Sequence, residues 1–572
     1  MALTVRITVY TNGDDAFVAW APSAFIPGCR GFLLERGRKT PAGVVTEPVE
    51  NRLGFKKDAP KSGDHRPSDE WPFQRFNWTD HVVDVGNEVR YRITAMVDAG
   101  GGRPYQHGPA SRWTRWATLS PSAGGGFSCY FNRGIVLSQF VARYLRDHHL
   151  TPAAFKAQLK TGLDPAFRAF LEGDLGARLR RLLAPTTSGS LTTLHAALYE
   201  LGDAQLEAAM IALKPPINLV LSNGSDKAGD GNAASRARLN AAGVATTDRL
   251  LKSKGLGHNK FVVVAKAGAP VAVWTGSTNW TTTGLCTQMN NALLIEDKAV
   301  AALYRAQWDR LQAASPPALA PAGFPPALVA ANDVSHSVKV GTGAVASKAT
   351  VWFTRTSDQR DMNELRGLIA AAQQSILFLM FQPGMQGLHT LAGQRANEAG
   401  MYVRGLVSTL GSDAASSELN VLDVRLVSSD RKFKPDHYTV VQPQGLGAGL
   451  GPWIAEVTRR NFLSQIGHAI VHSKVLVIDA LSANPVVVTG SHNFSAPASE
   501  KNDENLVIVR GHKALAAAYA THIMSVYQHY RYRSYVREML AQGKTPWAYL
   551  DDDDAWLARQ LVSKAQEIDH WA

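Results

Sequence analysis

The sequence lacks the features of several protein classes. Its 572 residues include three cysteines, Cys29, Cys129 and Cys286, which have neither the number nor the spacing of a disulfide scaffold or a zinc site. So few thiols indicate a reducing compartment. No run of about 18 apolar residues is present, and the first residues lack a basic segment followed by an apolar one. We therefore expect a cytoplasmic protein without a signal peptide or a membrane span.

Acidic residues are in the minority. The chain has 60 Lys and Arg against 48 Asp and Glu, which leaves a formal net charge of +12. This balance favours anionic partners, such as nucleic acid, anionic lipid headgroups or phosphorylated small molecules. It does not choose among them, and solubility alone explains it about as well. A chain of this length is expected to form two to four domains.

Residues 1–120 predict an all-β domain. Short, half-alternating apolar runs recur between Gly, Pro, Asn and Asp residues, which is typical of an antiparallel sandwich. Trp20 and the later segment Tyr91–Ala95 resemble a fibronectin type III or related immunoglobulin-like module. The segment Arg36–Trp78 is rich in Pro, Lys and Asp, and we expect it to be a long surface loop.

The pattern changes at residue 127, where strands and helices begin to alternate. We predict a strand over Phe127–Phe131, a helix over Leu194–Leu213 and a strand over Ile217–Leu221. Such alternation indicates an α/β fold. Residues 541–572 predict a helical C-terminal tail, in which the acidic run Asp551–Asp554 marks a helix start.

One motif occurs twice with the same internal spacing. Each copy has His-x-Lys followed by Gly-Ser-x-Asn, and the His and the Asn are 21 residues apart in both. The copies themselves are 214 residues apart. The first contains His258, Lys260, Ser277 and Asn279, and the second contains His472, Lys474, Ser491 and Asn493. Matched offsets of this kind indicate an internal duplication.

The residue types within the motif suit phosphate chemistry. In an extended strand, His472 and Lys474 point to the same side, because side chains alternate with a period of two. A group that can attack or protonate then lies next to a fixed positive charge. This arrangement suits a phosphate better than a carbonyl.

The duplicated pattern resembles the phospholipase D superfamily, whose motif is His-x-Lys-x4-Asp followed by Gly-Ser-x-Asn. The second copy keeps the acidic position as Asp479, whereas the first has Ala265 there. The resemblance implies two α/β/α lobes, at 127–312 and 345–540, each with a central mixed sheet. Both motifs would meet at one site within a monomer, and no metal or other cofactor is expected.

A phosphodiester is anionic, so its enzyme must neutralise the non-bridging oxygens while supplying a nucleophile and an acid. One His is expected to attack phosphorus and form a phosphohistidine. The other would protonate the leaving oxygen and then activate water or another alcohol. The residues expected to bind the phosphate are Lys260, Lys474, Asn279, Asn493, Ser277 and Ser491.

The residues expected to support these groups differ between the copies. Glu504 and Asn290 both lie 11 residues beyond the Asn of their own copy. We expect Glu504 to hold Nδ1–H of His472, and Asn290 to hold His258. A carboxylate stabilises an imidazolium more than an amide does, which favours His472 as the phosphohistidine. The resembling family more often uses the first His. Asp479 is expected to support the catalytic residues from behind.

The sequence leaves three functions open. The first is a phospholipase D that releases phosphatidic acid from phospholipids, with peripheral contact to a membrane. The second is a metal-independent nuclease, which the net charge suits equally. The third is a phosphodiester-binding protein whose first motif has decayed. Two unequal halves in one chain favour the phospholipid substrate, with nucleic acid second.

Overall fold

The computed structural model describes residues 3–61, 64–134, 144, 148–184, 192–224, 229–251, 255–316, 321–384, 387–396, 398–407, 420–423, 436–439, 471–541, 543 and 549–572. They divide into two compact units. The first contains the described residues of Met1–Pro121, Tyr438–Leu463 and Met524–Ala572, and the second those of Ser122–His437 and Ser464–Ile523.

The first unit begins with an all-β region. Its strands are β1 Val5–Thr11, β2 Ala16–Pro22, β3 Cys29–Thr40, β4 Gly43–Pro48, β5 Glu50–Asn51, β6 Arg66–Pro67, β7 Asn77–Asp80, β8 Glu88–Val97, β9 Gln106–Ala110 and β10 Ala117–Thr118. One sheet has the order β1-β2-β7, and the other has the order β10-β8-β3-β4, with β9 also paired to β8. The pairings are antiparallel, which confirms the predicted all-β N-terminal region. The resemblance to fibronectin type III stays a prediction.

The expected surface loop over Arg36–Trp78 is wrong. Strand β3 continues to Thr40 and forms a hairpin with β4. Farther along, Trp71 and Phe73 are each 1% exposed. The Pro, Lys and Asp residues of this segment suggested a loop, but they surround isolated aromatic side chains. Burial of such side chains stabilises the fold more than the local composition disfavours it.

The second unit contains two lobes, each built on a nine-stranded sheet. The elements of the first lobe are β11 Ser122–Gly124, β12 Phe127–Phe131, α1 Pro152–Thr161, α2 Pro165–Leu182, β13 Thr192–Leu198, α3 Ala204–Ala212, β14 Asn218–Ser222, α4 Ala233–Ala241, β15 Thr246–Leu251, β16 Lys260–Lys266, β17 Ala269–Gly276, α5 Thr282–Cys286, β18 Asn291–Ile295, α6 Lys298–Ala313 and β19 Pro321–Ala322. Their sheet order is β11-β12-β18-β17-β16-β13-β14-β15-β19.

The elements of the second lobe are α7 Pro326–Asn332, β20 His336–Val340, β21 Ser347–Phe353, α8 Arg360–Ala370, β22 Ser375–Met380, α9 Leu388–Arg395, β23 Tyr402–Val407, β24 Asn420–Asp423, β25 Asp436–Thr439, β26 Val475–Ile478, β27 Val486–Gly490, α10 Ala496–Glu500, β28 Asn505–Arg510 and α11 Lys513–Ala541. Residues 438–439 of β25 and 524–541 of α11 are counted with the first unit. The sheet order is β20-β21-β28-β27-β26-β22-β23-β24-β25.

The two sheets correspond strand for strand through their centres. In each, a parallel pair (β13–β14 or β22–β23) adjoins an antiparallel run of strands. The first lobe continues beyond this pair with two more parallel pairings, β14–β15 and β15–β19. Helices cover the sheets because their apolar side chains recur at helical spacing, as Met362, Leu365 and Ile369 do in α8. The predicted α/β class with a mixed sheet in each lobe is confirmed. The lobe boundaries stay predictions.

The predicted helix over Leu194–Leu213 is wrong in its first half. Residues up to Leu198 form β13, which pairs on both sides, and the helix α3 begins only after its N-cap Asp203. The run is rich in Ala and Leu, and its helix propensity is a weak bias that pairing within a sheet overrides.

Two further helices, α12 Ala555–Ser563 and α13 Ala565–Trp571, end the chain within the first unit. Helix α12 begins directly after the acidic run, as predicted, and the Asp554 carboxylate accepts a hydrogen bond from Gly28 N at 2.7 Å. Trp556 and Ile568 are buried in the core of the all-β region. The predicted tail therefore contributes core residues to the N-terminal unit.

Candidate active site

The two motifs occupy equivalent hairpins. Lys260 begins β16 and Lys474 immediately precedes β26, while Gly276 and Gly490 end the partner strands β17 and β27. Antiparallel pairing brings the start of one strand next to the end of the other. The His-x-Lys segment and the Gly-Ser turn of each copy thus lie at the same edge of the sheet.

The two turn glycines are required by geometry. Gly276 and Gly490 have φ values of +154° and +150°, which L-residues rarely adopt. A Cβ atom at Gly276 would collide with the carbonyl oxygen of Asn291, and one at Gly490 with that of Asn505. Glycine lets the turn lie directly against the next strand.

The imidazoles of His258 and His472 are each held by the opposite lobe. Nδ1 of His258 donates to Oε2 of Glu504 at 2.7 Å, and Nδ1 of His472 donates to Oδ1 of Asn290 at 2.8 Å. The predicted pairing of Glu504 with His472 and of Asn290 with His258 is therefore wrong. Equal offsets along the chain identified both supporting residues, but the docking of the lobes decides which ring each one contacts.

The supporting side chains are themselves fixed in the same way in both lobes. Ser491 Oγ donates to Glu504 Oε2 at 2.7 Å, and Ser277 Oγ donates to Asn290 Oδ1 at 2.8 Å. Asn290 Nδ2 donates to the Gly284 carbonyl oxygen, so its Oδ1 must be the atom facing the imidazole. Both rings consequently carry a proton on Nδ1 and have Nε2 available for chemistry.

Reciprocal hydrogen bonds join the lobes around this centre. Thr275 Oγ1 donates to Asn505 Oδ1 at 2.5 Å, and Asn291 Nδ2 donates to Thr489 Oγ1 at 2.7 Å. On the backbone, His472 N donates to the Met289 carbonyl oxygen at 2.8 Å. These bonds fix the position of each half of the site relative to the other.

The two lysines lie beside the imidazoles. Lys260 Nζ donates to the carbonyl oxygen of His258 at 2.9 Å, and Lys474 Nζ donates to that of His472 at 2.8 Å. Lys474 Nζ also lies 3.1 Å from Nε2 of His472. Each ammonium group lies over an aromatic ring, Tyr199 in the first lobe and Phe381 in the second. The same rings contact the imidazoles edge-on.

Burial dominates the electrostatics of the site. It lowers the pKa of both imidazoles well below the usual value, and the charges of Lys260 and Lys474 lower these pKa values further. Burial also lowers the pKa of Lys260 to about 7 and raises the pKa of Glu504 to about 7. Because the site excludes water, it favours the binding of an anion. The negative charge of that anion raises the pKa values of the lysines and imidazoles again, so that these groups can carry their positive charges.

Sequence reasoning missed a second carboxylate at this site. Glu200 follows β13, and its Oε2 accepts a hydrogen bond from Asn279 Nδ2 at 2.5 Å. Its charge raises the pKa of both lysines, against the larger effect of burial. The incorrectly predicted helix over this stretch concealed the strand end on which Glu200 lies.

Asp479 lies away from the other predicted site residues. It follows β26 at the end opposite Lys474 and accepts backbone N–H groups of Gln373, Gln374 and Ser375. In the first lobe, Ala265 is inside β16, where it pairs with Thr193 of β13. Asp479 therefore stabilises the loop before β22, and its expected support of the catalytic residues is wrong.

His492, between Ser491 and Asn493, has a separate set of partners. Its Nδ1 accepts from Phe494 N at 3.0 Å, so its proton is on Nε2, 2.9 Å from the Asp361 carboxylate. Ser499 Oγ donates to the same carboxylate. All three side chains are fully buried, which indicates a structural network within the second lobe.

Within the described ranges, no group of three or more His, Cys, Asp or Glu residues is arranged to hold a metal ion. A search for helices long and apolar enough to cross a membrane found none in the part of the chain that the structure describes.

Comparison with known proteins agrees with this arrangement. A family model described as cardiolipin synthase, PLD-like domain, matches residues 193–312 and 365–526, which include both motifs. No curated protein matches the chain at a significant level.

Solved structures resemble the chain only remotely. Phosphatidylserine synthase from Haemophilus influenzae Rd KW20 is 11% identical, with 70% of this chain and 93% of that chain covered and a TM-score of 0.41. Nuc, a phospholipase D family member from Salmonella typhimurium, is 16% identical over 25% of this chain and 88% of its own, with a TM-score of 0.21. Yeast tyrosyl-DNA phosphodiesterase is 11% identical over 59% and 86%, with a TM-score of 0.28. The two segments matched by the family model are thus similar to the PLD-like domain that it describes.

Proposed function

We propose that the chain is a phospholipase D-type phosphodiesterase that acts on phospholipids through a phosphohistidine intermediate. The observation that carries the proposal is the pair of buried imidazoles, each held through Nδ1 by the opposite lobe and each flanked by a lysine. Two such groups supply a nucleophile and an acid to the same phosphorus atom.

The unequal supporting residues favour different roles for the two histidines. A carboxylate on Nδ1 stabilises the positive charge that the ring acquires when Nε2 forms a bond to phosphorus. Glu504 provides this for His258, so His258 is the nucleophile. An amide oxygen stabilises the charged ring less, which leaves His472 with Asn290 as the stronger acid. The same physical argument that favoured His472 in the sequence thus selects His258 once the partners are exchanged.

The proposed reaction has two displacements. Binding of the anionic diester raises the pKa of His472, whose Nε2 then takes up a proton from solvent. Nε2 of His258 attacks phosphorus, the bond to the alcohol oxygen breaks, and His472 gives that proton to the oxygen. His472 then removes a proton from water or from another alcohol, whose oxygen attacks phosphorus and breaks the bond to His258. With water the product is phosphatidic acid, and with an alcohol it is a new diester. Lys260 and Lys474 neutralise the non-bridging oxygens in both steps.

Two observations support an active first motif and a lipid substrate. His258, Lys260 and Asn279 are buried, as His472 and Lys474 are, although Ala265 replaces the acidic residue. The matching family model is described as cardiolipin synthase, which makes a phospholipid the favoured substrate and transfer to an alcohol an alternative to hydrolysis.

The test compares wild type with His258→Ala and His472→Ala, and uses His107→Ala, an exposed histidine of the all-β region, as a control. Each protein is incubated with phospholipid vesicles and, separately, with single- and double-stranded DNA. We expect phosphatidic acid from wild type and His107→Ala only. DNA cleavage with intact lipid would show that the substrate is nucleic acid and not a phospholipid. Histidine-dependent turnover of neither would contradict the enzymatic proposal.

The nucleophile is identified with an activated 4-nitrophenyl diester, whose leaving group does not need an acid. We expect His472→Ala to accumulate phosphohistidine and His258→Ala to show none. The reverse pattern would exchange the two roles.

A further inference from the structure

Glu200 is a partly buried carboxylate that the proposed reaction does not use. The loop that carries it is fixed to the loop that carries Asn279, because Trp280 N donates to the Glu200 carbonyl oxygen and Gly202 N donates to the Trp280 carbonyl oxygen, both at 3.0 Å. The carboxylate is therefore held in place next to Asn279 by the backbone.

The carboxylate also fixes the direction of the Asn279 amide. An ionised carboxylate only accepts hydrogen bonds, so Asn279 must turn Nδ2 toward Glu200. Its Oδ1 is buried and has no donor among the residues that the structure describes. Next to the phosphate-binding lysines, the first lobe thus offers two acceptors, an unpaired amide oxygen and a carboxylate.

The second lobe has no charge at the corresponding position. Tyr199 contacts His258 as Phe381 contacts His472, and the residues that follow these two rings are Glu200 and Gln382. Gln382 is neutral and exposed. The acidic character is therefore confined to one side of the site.

A carboxylate at this place opposes the binding of a phosphodiester, because like charges repel most strongly where water is scarce. The cost disappears when the ligand brings a positive charge to the carboxylate. A residue that penalises ligands without such a charge provides specificity.

We propose that Glu200 determines specificity by receiving a positively charged group that the substrate bears next to its phosphodiester. The inference rests on the proposed function and narrows its substrate to phospholipids with a cationic headgroup. Asn279 Oδ1 accepts from the N–H groups of the same cation where it has them.

The experiment measures kcat/KM on vesicles of phosphatidylethanolamine and of phosphatidylglycerol, for wild type, Glu200→Gln and Glu200→Asp. Wild type should prefer the ethanolamine lipid. Glu200→Gln should lower the ratio of the two kcat/KM values about fivefold, the worth of one partly exposed ion pair, mainly through KM. Glu200→Asp, which keeps the charge, should retain most of the preference. Glu296→Gln, an exposed carboxylate after the far end of β18, is the matched control and should leave the ratio unchanged.

An unchanged ratio in Glu200→Gln, or an equal loss on both lipids, would overturn the specificity role, since Glu200 would then only position Asn279. The proposed function stands in that case, because product still forms and still requires His258. Absence of His258-dependent product from either lipid in wild type would overturn both.

Discussion

The two lobes share one framework and differ in the groups that set charge. Their central strands have the same order, their turns need glycine at equivalent positions, and their serines hold equivalent supporting residues. The supporting residue itself is Asn290 in one lobe and Glu504 in the other. The comparison teaches that a nearly symmetric scaffold can make two identical side chains chemically different by changing one neighbour.

Removing the difference between the two supporting residues should have the largest effect on activity. In Glu504→Gln, both imidazoles would have an amide partner, and the positive charge on His258 would lose its stabilisation. We expect kcat to fall about 10²-fold, the scale of one general acid–base contribution, with a smaller change in KM. Phosphohistidine should accumulate more slowly in rapid-quench measurements. Glu296→Gln serves as the control, and equal kcat values for wild type and Glu504→Gln would contradict the assigned roles.

The turn glycines test whether the two lobes pack their turns equally closely against the next strand. Gly490→Ala places a methyl group against the Asn505 carbonyl oxygen, and Gly276→Ala does the same at Asn291. Each should lower the free energy of unfolding by about 3 kcal/mol in chemical denaturation, through strain and positive φ together. The two changes should lower the free energy of unfolding by similar amounts.

Gly268→Ala provides the control for those variants. Gly268 also has a positive φ, but nothing lies within 4 Å of its missing Cβ. Its cost should be about 1 kcal/mol, from the backbone conformation alone. A cost as large as that of Gly490→Ala would show that the collision contributes little.

The pH dependence of stability should show the difference between Glu504, which titrates, and Asn290, which does not. Burial raises the pKa of Glu504 from 4.5 to about 7, so between these pH values the folded protein holds a proton that the unfolded chain has released. Stability therefore falls as the pH rises from 4.5 to 7, by up to about 3 kcal/mol. Glu504→Gln should lack this fall. Parallel curves of melting temperature against pH for the two proteins would contradict it.

A smaller effect on activity is expected at the acidic position of the motif. Asp479→Ala removes the acceptor of three backbone N–H groups before β22 and should cost about 2 kcal/mol of stability. Activity per folded molecule should stay within about threefold, because Asp479 has no contact with the catalytic groups. A loss of activity comparable to that of Glu504→Gln would show that Asp479 does support the catalytic residues.

Sequence reasoning located the residues of the site better than their connections. Repeated offsets identified His258, Lys260, His472 and Lys474, which lie at or just before the starts of β16 and β26. The same offsets located Asn290 and Glu504. They could not assign these residues to a ring, because contacts between lobes depend on how two sheets dock, and no local pattern records that.

Other features were hidden by local composition. Glu200 lies at a strand end within an Ala- and Leu-rich run whose propensity favours a helix, and no motif marks it. The packing of Trp556 into the all-β region joins residues more than 500 positions apart, such as Cys29, whose carbonyl oxygen accepts from the Trp556 indole. Such long-range contacts come from the folded chain as a whole.

The crossed support of the imidazoles has a consequence for how such an enzyme can diverge. In a dimer of identical subunits, any change to the residue behind one ring would appear behind the other, and both histidines would keep the same duties. Joining two copies in one polypeptide removes that constraint, so a substitution in one half alters only the ring that belongs to the other. The division of labour proposed for His258 and His472 thus becomes accessible through a single codon.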